Sequence, residues 1–424
     1  MEARPLVYDA SHLATRLGAA GAAGIDWIDR AYARHFAARI ACGVHYGLSR
    51  PHVLAPARVA EISSFHERGF EAFAAGRDLG WPALRAWLTG EIVNAPPQAR
   101  RGRGIGWRLE ATTLKLRARL AHDPPGEIPH GAVYVNVAQY GLEHDWLFRW
   151  LDTRPDVSPV FFLHDVLPLD YPEYFRDGYE KVFRARFETI VRRAGAIVTT
   201  TQCTAQRIGA EFARMGHAAP PILARAPPSP LEQGASDDAR DAALAGAGYF
   251  VVVATVEPRK NHLLLLNVWR RLAETLGNRT PKLVCVGQRG WQNAEVLALL
   301  DRSAALAPHV RSVGGLSSAT LRRLLQNARA LLLPSFCEGY GIPLAEALTV
   351  GLPVICSDIP VFREATQGRA AFLSPLDGLA WRDAVQDFAA DTPRRAAGLE
   401  QAAGYDASNW TDYFEGVEGF LREL

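Results

Sequence analysis

Residues Ala330 to Glu364 are the most informative stretch of this chain, and they read ALLLPSFCEGYGIPLAEALTVGLPVICSDIPVFRE. The apolar run from Leu331 to Pro334 has the length of a buried strand. Pro343 suits the first turn of a helix, because the backbone N–H that proline lacks has no partner there anyway. Gly351 and Pro353 end that helix and lead into a second apolar run. The stretch therefore predicts one parallel unit of strand, tight loop, helix and strand.

Two glutamates flank the junction between the predicted loop and the predicted helix. Glu338 lies in the loop, and Glu346 follows eight residues later in the helix. Either one alone has the ordinary interpretation of an exposed glutamate. Together they lie at the carboxyl edge of a parallel sheet, where such folds bind ligands, and beside a helix N-terminus that favours an anion. Carboxylates accept charge-assisted hydrogen bonds from hydroxyl groups. A nucleotide sugar carries both hydroxyl groups and a diphosphate, so this arrangement predicts that the site binds a nucleotide sugar.

Size and composition indicate a soluble two-domain protein. The chain has 424 residues, and its net charge of +2 predicts no general affinity for nucleic acid. The N-terminal sequence MEARPLVYDA lacks the apolar region of a signal peptide, and no apolar run is long enough to span a membrane. The cysteines have no C-x-x-C spacing, so they predict neither a zinc site nor a disulfide framework, and a reducing, cytoplasmic compartment fits best. They are Cys42, Cys203, Cys285, Cys337 and Cys356.

Strand and helix patterns alternate along both halves of the chain, which predicts parallel sheets wrapped by helices. The predicted strands are Pro5–Ala10, Arg39–Tyr46, Ala132–Val137, Val160–His164, Ala194–Thr199, Tyr249–Thr255, Leu283–Val286, Leu331–Pro334 and Pro353–Ser357. The predicted helices include Ile25–Ala38, residues 57–92 with a break at Gly80, Tyr179–Arg193 and Leu263–Leu272.

A proline-rich and polar segment separates the two halves. Residues 229–246 have the composition of a linker. They divide the chain into an N-terminal domain at 1–228 and a C-terminal domain at 247–408. Residues 409–424 place apolar side chains at helical intervals and predict a C-terminal helix that packs back on the N-terminal domain.

A basic pair follows the first predicted strand of the C-terminal half. Arg259 and Lys260 lie in the sequence TVEPRKN, at Thr255 to Asn261, between a strand and a helix. An exposed helix start is the ordinary interpretation. Basic residues are more usual at a helix C-terminus, and two adjacent cations at a sheet edge suit a diphosphate. We therefore expect this pair to bind phosphate groups.

Two further segments allow a functional and a structural interpretation. His164 and Asp165 end a strand in the sequence FFLHDVLP, where a histidine is more often a structural hydrogen-bonding group than a catalyst. Residues 100–119 contain seven basic residues and one acidic residue, Glu110. They predict either a solvated helix face beside a loop or a surface that attracts anionic lipid headgroups or a pyrophosphate-bearing acceptor.

Four motifs together resemble those of the family 4 glycosyltransferases, which have the GT-B fold. They are EGYGIPLAEA at Glu338 to Ala347, TVEPRKN at Thr255 to Asn261, VGQRGW at Val286 to Trp291 and LHDVLPL at Leu163 to Leu169. The resemblance covers residues 130–424. It implies an α/β fold of two facing, Rossmann-like, doubly wound domains with a cleft between them.

The resemblance also implies roles for individual residues. Glu338 would contact the transferred sugar, Glu346 the ribose, and Arg259 and Lys260 the leaving diphosphate, while His164 would face the sugar. Further donor-binding positions would be Gly339, Tyr340, Gly341, Ile342, Leu316 and Gly287. Acceptor positions would be Asp165 and, in the glycine-rich segment Gly18 to Gly24, Gly18.

The implied reaction is transfer of a hexose with retention of configuration, without a metal or another cofactor. The pattern H-D-x-x-P-x-x-x-P-E from His164 to Glu173 is similar to bacterial mannosyl- and rhamnosyltransferases of surface-polysaccharide synthesis. It favours GDP-mannose over a dTDP- or UDP-sugar, and a glycan or lipid-linked glycan acceptor at the inner face of the plasma membrane. The alternatives are a rhamnosyl- or glucosyltransferase, a phosphorylase or synthase of storage glucan, and a non-catalytic module that binds glycans or nucleotides.

Overall fold

The computed structural model describes residues 4–17, 24–46, 51–74, 78, 80–91, 105–120, 127–232 and 241–424. They form two mainly parallel sheets, one in each half of the chain. The α/β class expected from the alternating pattern is confirmed. In this part of the chain, no helix is long and apolar enough to cross a bilayer.

The first sheet has the strand order β3-β2-β1-β4-β5-β6-β7, and only β3 is antiparallel to its neighbour. Its strands are β1 (Leu6–Asp9), β2 (Ile40–Tyr46), β3 (Pro51–Leu54), β4 (Val133–Asn136), β5 (Ser158–Phe162), β6 (Ala196–Thr199) and β7 (Ile222–Ala224). The α-helices of this half are α1 (Ser11–Arg16), α2 (Gly24–His35), α3 (Pro56–Ala74), α4 (Trp81–Thr89), α5 (Ile105–Leu120), α6 (Leu167–Asp170), α7 (Tyr179–Arg193) and α8 (Gln202–Arg214). A 3-10 helix spans Asp145–Thr153 between β4 and β5.

The second sheet has the order β10-β9-β8-β11-β12-β13. Its strands are β8 (Tyr249–Val253), β9 (Lys282–Val286), β10 (Val310–Val313), β11 (Leu331–Leu333), β12 (Val354–Ser357) and β13 (Ala371–Leu373). Its helices are α9 (Ala242–Ala245), α10 (His262–Leu276), α11 (Ala294–Arg302), α12 (Ser318–Gln326), α13 (Ile342–Thr349), α14 (Pro360–Ala365), α15 (Gly378–Ala389), α16 (Pro393–Ala403) and α17 (Trp410–Arg422).

Both faces of each sheet are buried, because successive side chains of a strand point to opposite faces and helices cover both of them. In β8, Tyr249 and Val251 pack into one apolar cluster, while Phe250 packs into another with Trp269 of α10. The chain runs outward from β8 to β10 and returns to β11, so the strand order reverses between β8 and β11. Ligands of such folds bind outside the carboxyl ends of the strands at this point.

The last helix lies on the N-terminal lobe. The hydroxyl groups of Tyr413 in α17 and Tyr32 in α2 are 2.9 Å apart, and the rings of Trp410 and Trp27 are 4.9 Å apart. The chain therefore returns to its first lobe after completing the second.

Helix α4 departs from the division of the chain at 1–228, because it packs on the C-terminal sheet. Leu84 and Leu88 are buried in the same apolar cluster as Tyr249 and Val284. Lys282 at the start of β9 donates from Nζ to the carbonyl oxygen of Trp87, at 2.6 Å. The sequence could not predict that α4 packs on the C-terminal sheet, because the pattern of an amphipathic helix does not specify which sheet it covers.

Candidate active site

Loops from both lobes meet at the reversal point of the second sheet. The loop after β8 carries Arg259 and Lys260, and the loop after β11 carries Glu338 and Gly339. The loop after β5 reaches them from the other lobe. A Cβ atom added to Gly339 would lie 2.9 Å from the Cβ atom of Asp165 and 2.9 Å from the carbonyl oxygen of His164. The structure thus brings these predicted site residues together in one place.

Glu338 is held between two cations inside the protein. Its Oε2 lies 2.5 Å from Arg259 Nη1, its Oε1 pairs with Lys260 Nζ, and Ser335 Oγ donates to Oε1 at 2.9 Å. Burial alone would raise the pKa of Glu338, but Arg259 and Lys260 lower it to about 2. The carboxylate is therefore ionised at neutral pH and fixed from three sides.

The two cations are themselves compensated. Arg259 Nε lies 2.7 Å from Glu257 Oε1, so the four side chains of Glu257, Arg259, Lys260 and Glu338 carry two positive and two negative charges. Burial and the neighbouring Arg259 lower the pKa of Lys260 from its ordinary value. The sequence predicts that these cations bind phosphate groups, but it does not reveal their pairing with Glu338.

Glu346 has a different environment. It is 7% exposed in α13, and burial raises the pKa of its carboxyl to about 8. Among the described residues, no ion pair or hydrogen bond to its side chain is found. The ordinary interpretation of an exposed glutamate is wrong here, because α13 is enclosed by the sheet and its neighbouring helices. A buried carboxyl without a partner can take hydrogen bonds from a ligand.

Glycines permit the sharp turn that starts α13. Gly341 has φ of 101°, a left-handed value that side chains disfavour, and Pro343 follows in the first turn as predicted. A Cβ atom added to Gly24 would lie 2.9 Å from Ile342 Cδ1, so the start of α2 faces the start of α13. The backbone of Gly339 to Ile342 therefore lies at the contact between the lobes.

Threonines of the N-terminal lobe bind the Gly339 backbone. Thr200 Oγ1 and Thr204 Oγ1 each donate to the carbonyl oxygen of Gly339, at 3.1 Å. Tyr340 OH donates to the carbonyl oxygen of Pro227 at 3.2 Å. These threonines were not among the predicted site residues; the signal would have been the polar stretch TTQCT at Thr200 to Thr204, directly after a predicted strand.

His164 is neutral in this site. Its Nε2 donates to the carbonyl oxygen of Val137 at 3.1 Å, which leaves Nδ1 as the acceptor. Burial lowers the pKa of His164 to about 4. Burial raises the pKa of Asp165 although Arg259 opposes the shift, and Asp165 Oδ1 accepts from Leu167 N at 3.1 Å. His164 can therefore accept a hydrogen bond from a hydroxyl group.

Gly287 and Leu316, two further predicted positions, lie on other loops of the second sheet. Gly287 directly follows β9 and lies against the residue after β8: an added Cβ atom would lie 1.9 Å from the carbonyl oxygen of Ala254. Leu316 is half-buried in the loop after β10, next to Gly315. Gly18 falls outside the residues that the structure describes. Within those residues, no group of three or more His, Cys, Asp or Glu side chains is placed to hold a metal ion.

A family model matches part of the C-terminal half. The model described as Glycosyl transferases group 1 matches residues 238–397. This range contains the Arg259, Lys260, Glu338 and Glu346 side chains described above.

Several mannosyltransferases are related in sequence. The serotype-specific mannosyltransferase WbdA of Escherichia coli is 29% identical over 278 residues, which are 62% of this chain and 33% of the relative. O-antigen chain mannosyltransferase B of Escherichia coli is 32% identical over 172 residues, 40% of this chain and 45% of the relative. The chain thus spans about a third to a half of the length of these curated relatives.

Solved structures show the fold. A trehalose-6-phosphate synthase studied with bisubstrate glycomimetics aligns over 99% of both chains, with a TM-score of 0.58 and 11% identity. Sucrose-phosphate synthase from Thermosynechococcus elongatus aligns over 79% of this chain and 82% of its own, with a TM-score of 0.55 and 18% identity. The expected GT-B fold is confirmed.

Proposed function

We propose that this chain, whose residues 238–397 belong to the Glycosyl transferases group 1 family, transfers a hexose from a nucleoside-diphosphate sugar to a glycan acceptor. Mannose is the favoured hexose and GDP-mannose the favoured donor. The observation that carries the proposal is the buried cluster at the reversal point of the second sheet. There Glu338 is fixed against Arg259 and Lys260, and the unpartnered carboxyl of Glu346 lies in the adjoining helix.

Each part of a nucleotide sugar has a matching group in this cluster. The ionised Glu338 and the Nδ1 atom of His164 can accept hydrogen bonds from hydroxyl groups of the transferred sugar. Glu346 can accept hydrogen bonds from the ribose hydroxyl groups. Arg259 and Lys260 keep further N–H groups for the diphosphate, which also meets the first backbone N–H groups of α13.

These groups favour departure of the nucleoside diphosphate. Cleavage of the anomeric C–O bond develops negative charge on the leaving phosphate oxygen. Two buried cations and the helix N-terminus stabilise that charge in the transition state, and their fixed positions limit reorganisation. The leaving phosphate would accept the proton of the attacking acceptor hydroxyl. We propose retention of configuration and no metal requirement; NMR of the product and assays with EDTA test both.

Mannose is favoured because the related proteins are mannosyltransferases. A second donor class is kept as an alternative, since solved structures of the same fold hold UDP. TarM of S. aureus, in complex with UDP, has a TM-score of 0.50 and 14% identity to this chain. A rhamnosyl- or glucosyltransferase would use the dTDP- or UDP-sugar.

The acceptor is proposed to be a lipid-linked glycan at the cytoplasmic face of the membrane. Helix α5 exposes Leu109 and Leu116 to the extent of 62% and 56%, and the Arg117 side chain is 60% exposed. Apolar and basic side chains on one exposed helix suit a peripheral contact with anionic lipid. Co-sedimentation with anionic vesicles, and none with neutral vesicles, is the expected result. The described part of the basic segment begins at Ile105.

A donor panel tests the proposed function. The wild-type protein should hydrolyse one of GDP-mannose, dTDP-rhamnose and UDP-glucose or transfer its sugar to an acceptor. Lys260→Ala should slow this turnover by ~10²–10³-fold, because it removes a cation that stabilises the leaving group. Glu338→Gln should also lose activity while keeping the side-chain volume.

The matched control for this panel is Lys181→Ala, since Lys181 is an exposed lysine on α7. Thermal unfolding of all variants separates loss of chemistry from loss of folding. Equal, slow hydrolysis of every donor by wild type, Glu338→Gln and Lys260→Ala would refute the catalytic assignment and favour a non-catalytic binding module.

A further inference from the structure

Residue 78 and residues 80–91 come from the N-terminal half but pack on the C-terminal lobe. Gly80, before α4, lies at the carboxyl edge of the second sheet, where an added Cβ atom would be 3.2 Å from Val313 Cγ2. The other end of α4 lies at the amino edge, where Lys282 Nζ binds the carbonyl oxygens of Trp87 and Leu88 at 2.6 and 2.9 Å. The helix thus runs across one face of the sheet toward β9 and β10.

Asp78 holds the loop after β10 at the start of this segment. Its Oδ1 accepts a hydrogen bond from Ser317 N, and its Oδ2 accepts one from Ser317 Oγ, both at 2.7 Å. Ser317 Oγ in turn accepts from Thr320 N at 3.2 Å, which caps α12. Both bonds to Asp78 are charge-assisted and therefore stronger than those between neutral groups.

The same loop is packed tightly on its other side. A Cβ atom added to Gly314 would lie 3.1 Å from the carbonyl oxygen of Gly287, the glycine that follows β9. Residues 314–317 are therefore held between the loop after β9 and Asp78. The hydrogen bonds to Asp78 on one side and the close approach to Gly287 on the other restrict the position of this loop.

The loop lies at the distance from the cluster that a nucleotide requires. Strand β10 is two strands from β8 in the sheet order. At a spacing of ~4.8 Å between strands, its carboxyl end is roughly 10 Å from that of β8, where Arg259 and Lys260 lie. A nucleoside, ribose and base together, spans a distance of this order from its diphosphate, so the base of a bound donor reaches the loop at 314–317.

We propose that Asp78 is a positioning residue for the base end of the donor site, and that the N-terminal half thereby takes part in nucleotide binding. The inference rests on the proposed function, because it assumes a nucleoside-diphosphate ligand. Asp78 acts through Ser317: it holds the backbone of residues 314–317 in place for the base. It does not act on the diphosphate, which lies two strands away.

Binding of nucleotides and of inorganic pyrophosphate tests this role. The tightest-binding of GDP, UDP and dTDP is measured by calorimetry on the full chain, and pyrophosphate is measured by competition against it. Asp78→Ala should raise the Kd of the nucleoside diphosphate about tenfold or more, since two charge-assisted bonds are lost. The Kd of pyrophosphate, which has no base, should stay unchanged. In the assay, KM for the donor should rise while kcat is retained.

Two variants keep the test decisive. Ser317→Ala removes the hydrogen bond from Ser317 Oγ to Asp78 but keeps the one from the backbone N–H. It should therefore give a smaller loss of nucleotide affinity than Asp78→Ala. Arg85→Gln breaks the 2.9 Å ion pair of α4 with Asp241, at a place away from the loop, and should leave nucleotide affinity unchanged. Melting temperatures show that each variant is folded.

The outcomes are distinguishable. If the wild-type protein binds none of the three nucleoside diphosphates, the proposed function fails. If the wild-type protein binds a nucleoside diphosphate and both Asp78→Ala and Ser317→Ala bind it with the wild-type Kd, Asp78 has no positioning role. A parallel loss of pyrophosphate binding, or the same loss in Arg85→Gln, would show a general stabilising effect of α4 and overturn the inference.

Discussion

At the scale of single residues, two glutamates on either side of the start of α13 have opposite ionisation. The cations Arg259 and Lys260 lower the pKa of Glu338 to about 2, while burial without a partner raises that of Glu346 to about 8. At pH 7 the first is a carboxylate and the second is mostly a neutral acid. Their environments, and not their chemistry, separate the roles proposed for sugar and ribose contacts.

Because Glu346 is mostly protonated at pH 7, we expect the protein to release protons when it binds a nucleotide. Ribose hydroxyl groups that donate to its carboxyl favour the ionised form, so binding should lower its pKa and release up to about one proton near pH 7. Calorimetry in buffers of different ionisation enthalpy measures this number. The variant Glu346→Gln cannot ionise, so the share of proton release that Glu346 supplies should disappear. Equal release by wild type and variant would contradict the assignment.

The same shift has a consequence for folding. Because the pKa of Glu346 rises from 4.5 to about 8 on folding, the folded state holds a proton that the unfolded state loses. Its contribution to stability is therefore present below pH 4.5 and falls as pH rises toward 8. In Glu346→Gln this part of the pH dependence should be absent from urea unfolding curves.

At the scale of elements, helix α17 joins the end of the chain to its beginning. Phe414 is 3% exposed, and its ring lies 3.9 Å from the ring of His35 and 5.2 Å from that of Tyr32. The packing face is the apolar stripe seen in the sequence. Only the structure identifies α2 as the surface that this stripe covers.

Loss of this aromatic packing should destabilise the N-terminal lobe. Phe414→Ala should lower the free energy of unfolding by about 3–5 kcal/mol, the usual cost of removing a buried phenylalanine side chain. Urea unfolding followed by tryptophan fluorescence measures it. The control is Glu415→Ala on the exposed side of the same helix, which should change stability little. A loss no larger than that of the control would mean that α17 is not held on α2.

At the scale of the whole molecule, the two lobes are in contact at the candidate active site. The Gly339 carbonyl oxygen accepts from Thr200 and Thr204, and Glu364 of the C-terminal lobe accepts from the backbone N–H groups of Gln202 and Cys203 at 2.5 and 3.0 Å. The glutamate satisfies N–H groups that are free at the start of α8. The candidate catalytic groups of the two lobes are thus held together by contacts that cross the cleft.

The close approach at Gly339 predicts the effect of a single methyl group. In Gly339→Ala the new Cβ atom would lie 2.9 Å from atoms of Asp165 and His164, so the lobes must shift at this point. A shift of about 1 Å between reacting groups costs ~10²-fold in rate. We expect kcat to fall by about that factor in transfer assays.

The matched control is Gly209→Ala in α8. An added Cβ atom there meets nothing within 4 Å, and alanine suits a helix better than glycine. Its activity and melting temperature should be at least those of wild type. Wild-type kcat in Gly339→Ala would show that the contact between the lobes does not align the site.

Much of the fold and part of the site follow from the sequence alone. The alternation of strands and helices, the turn at Gly341, the helix start at Pro343 and the position of Arg259 after β8 are all local features. Residue periodicity, turn chemistry and strand ends determine them over a few residues. The same local rules missed short strands such as β3, β7, β10 and β13, because three or four residues are too few for a periodic pattern to distinguish a strand from a loop.

Partners distant in the chain were decided by the tertiary structure. Glu338 meets Arg259 and Lys260 across 79 and 78 residues, and Asp78 meets Ser317 across 239. Likewise, no local pattern says that α4 covers the second sheet or that α17 covers α2. The physical reason is that a side chain's sequence neighbours set its backbone conformation, whereas burial and charge pairing depend on which surfaces the folded chain brings together.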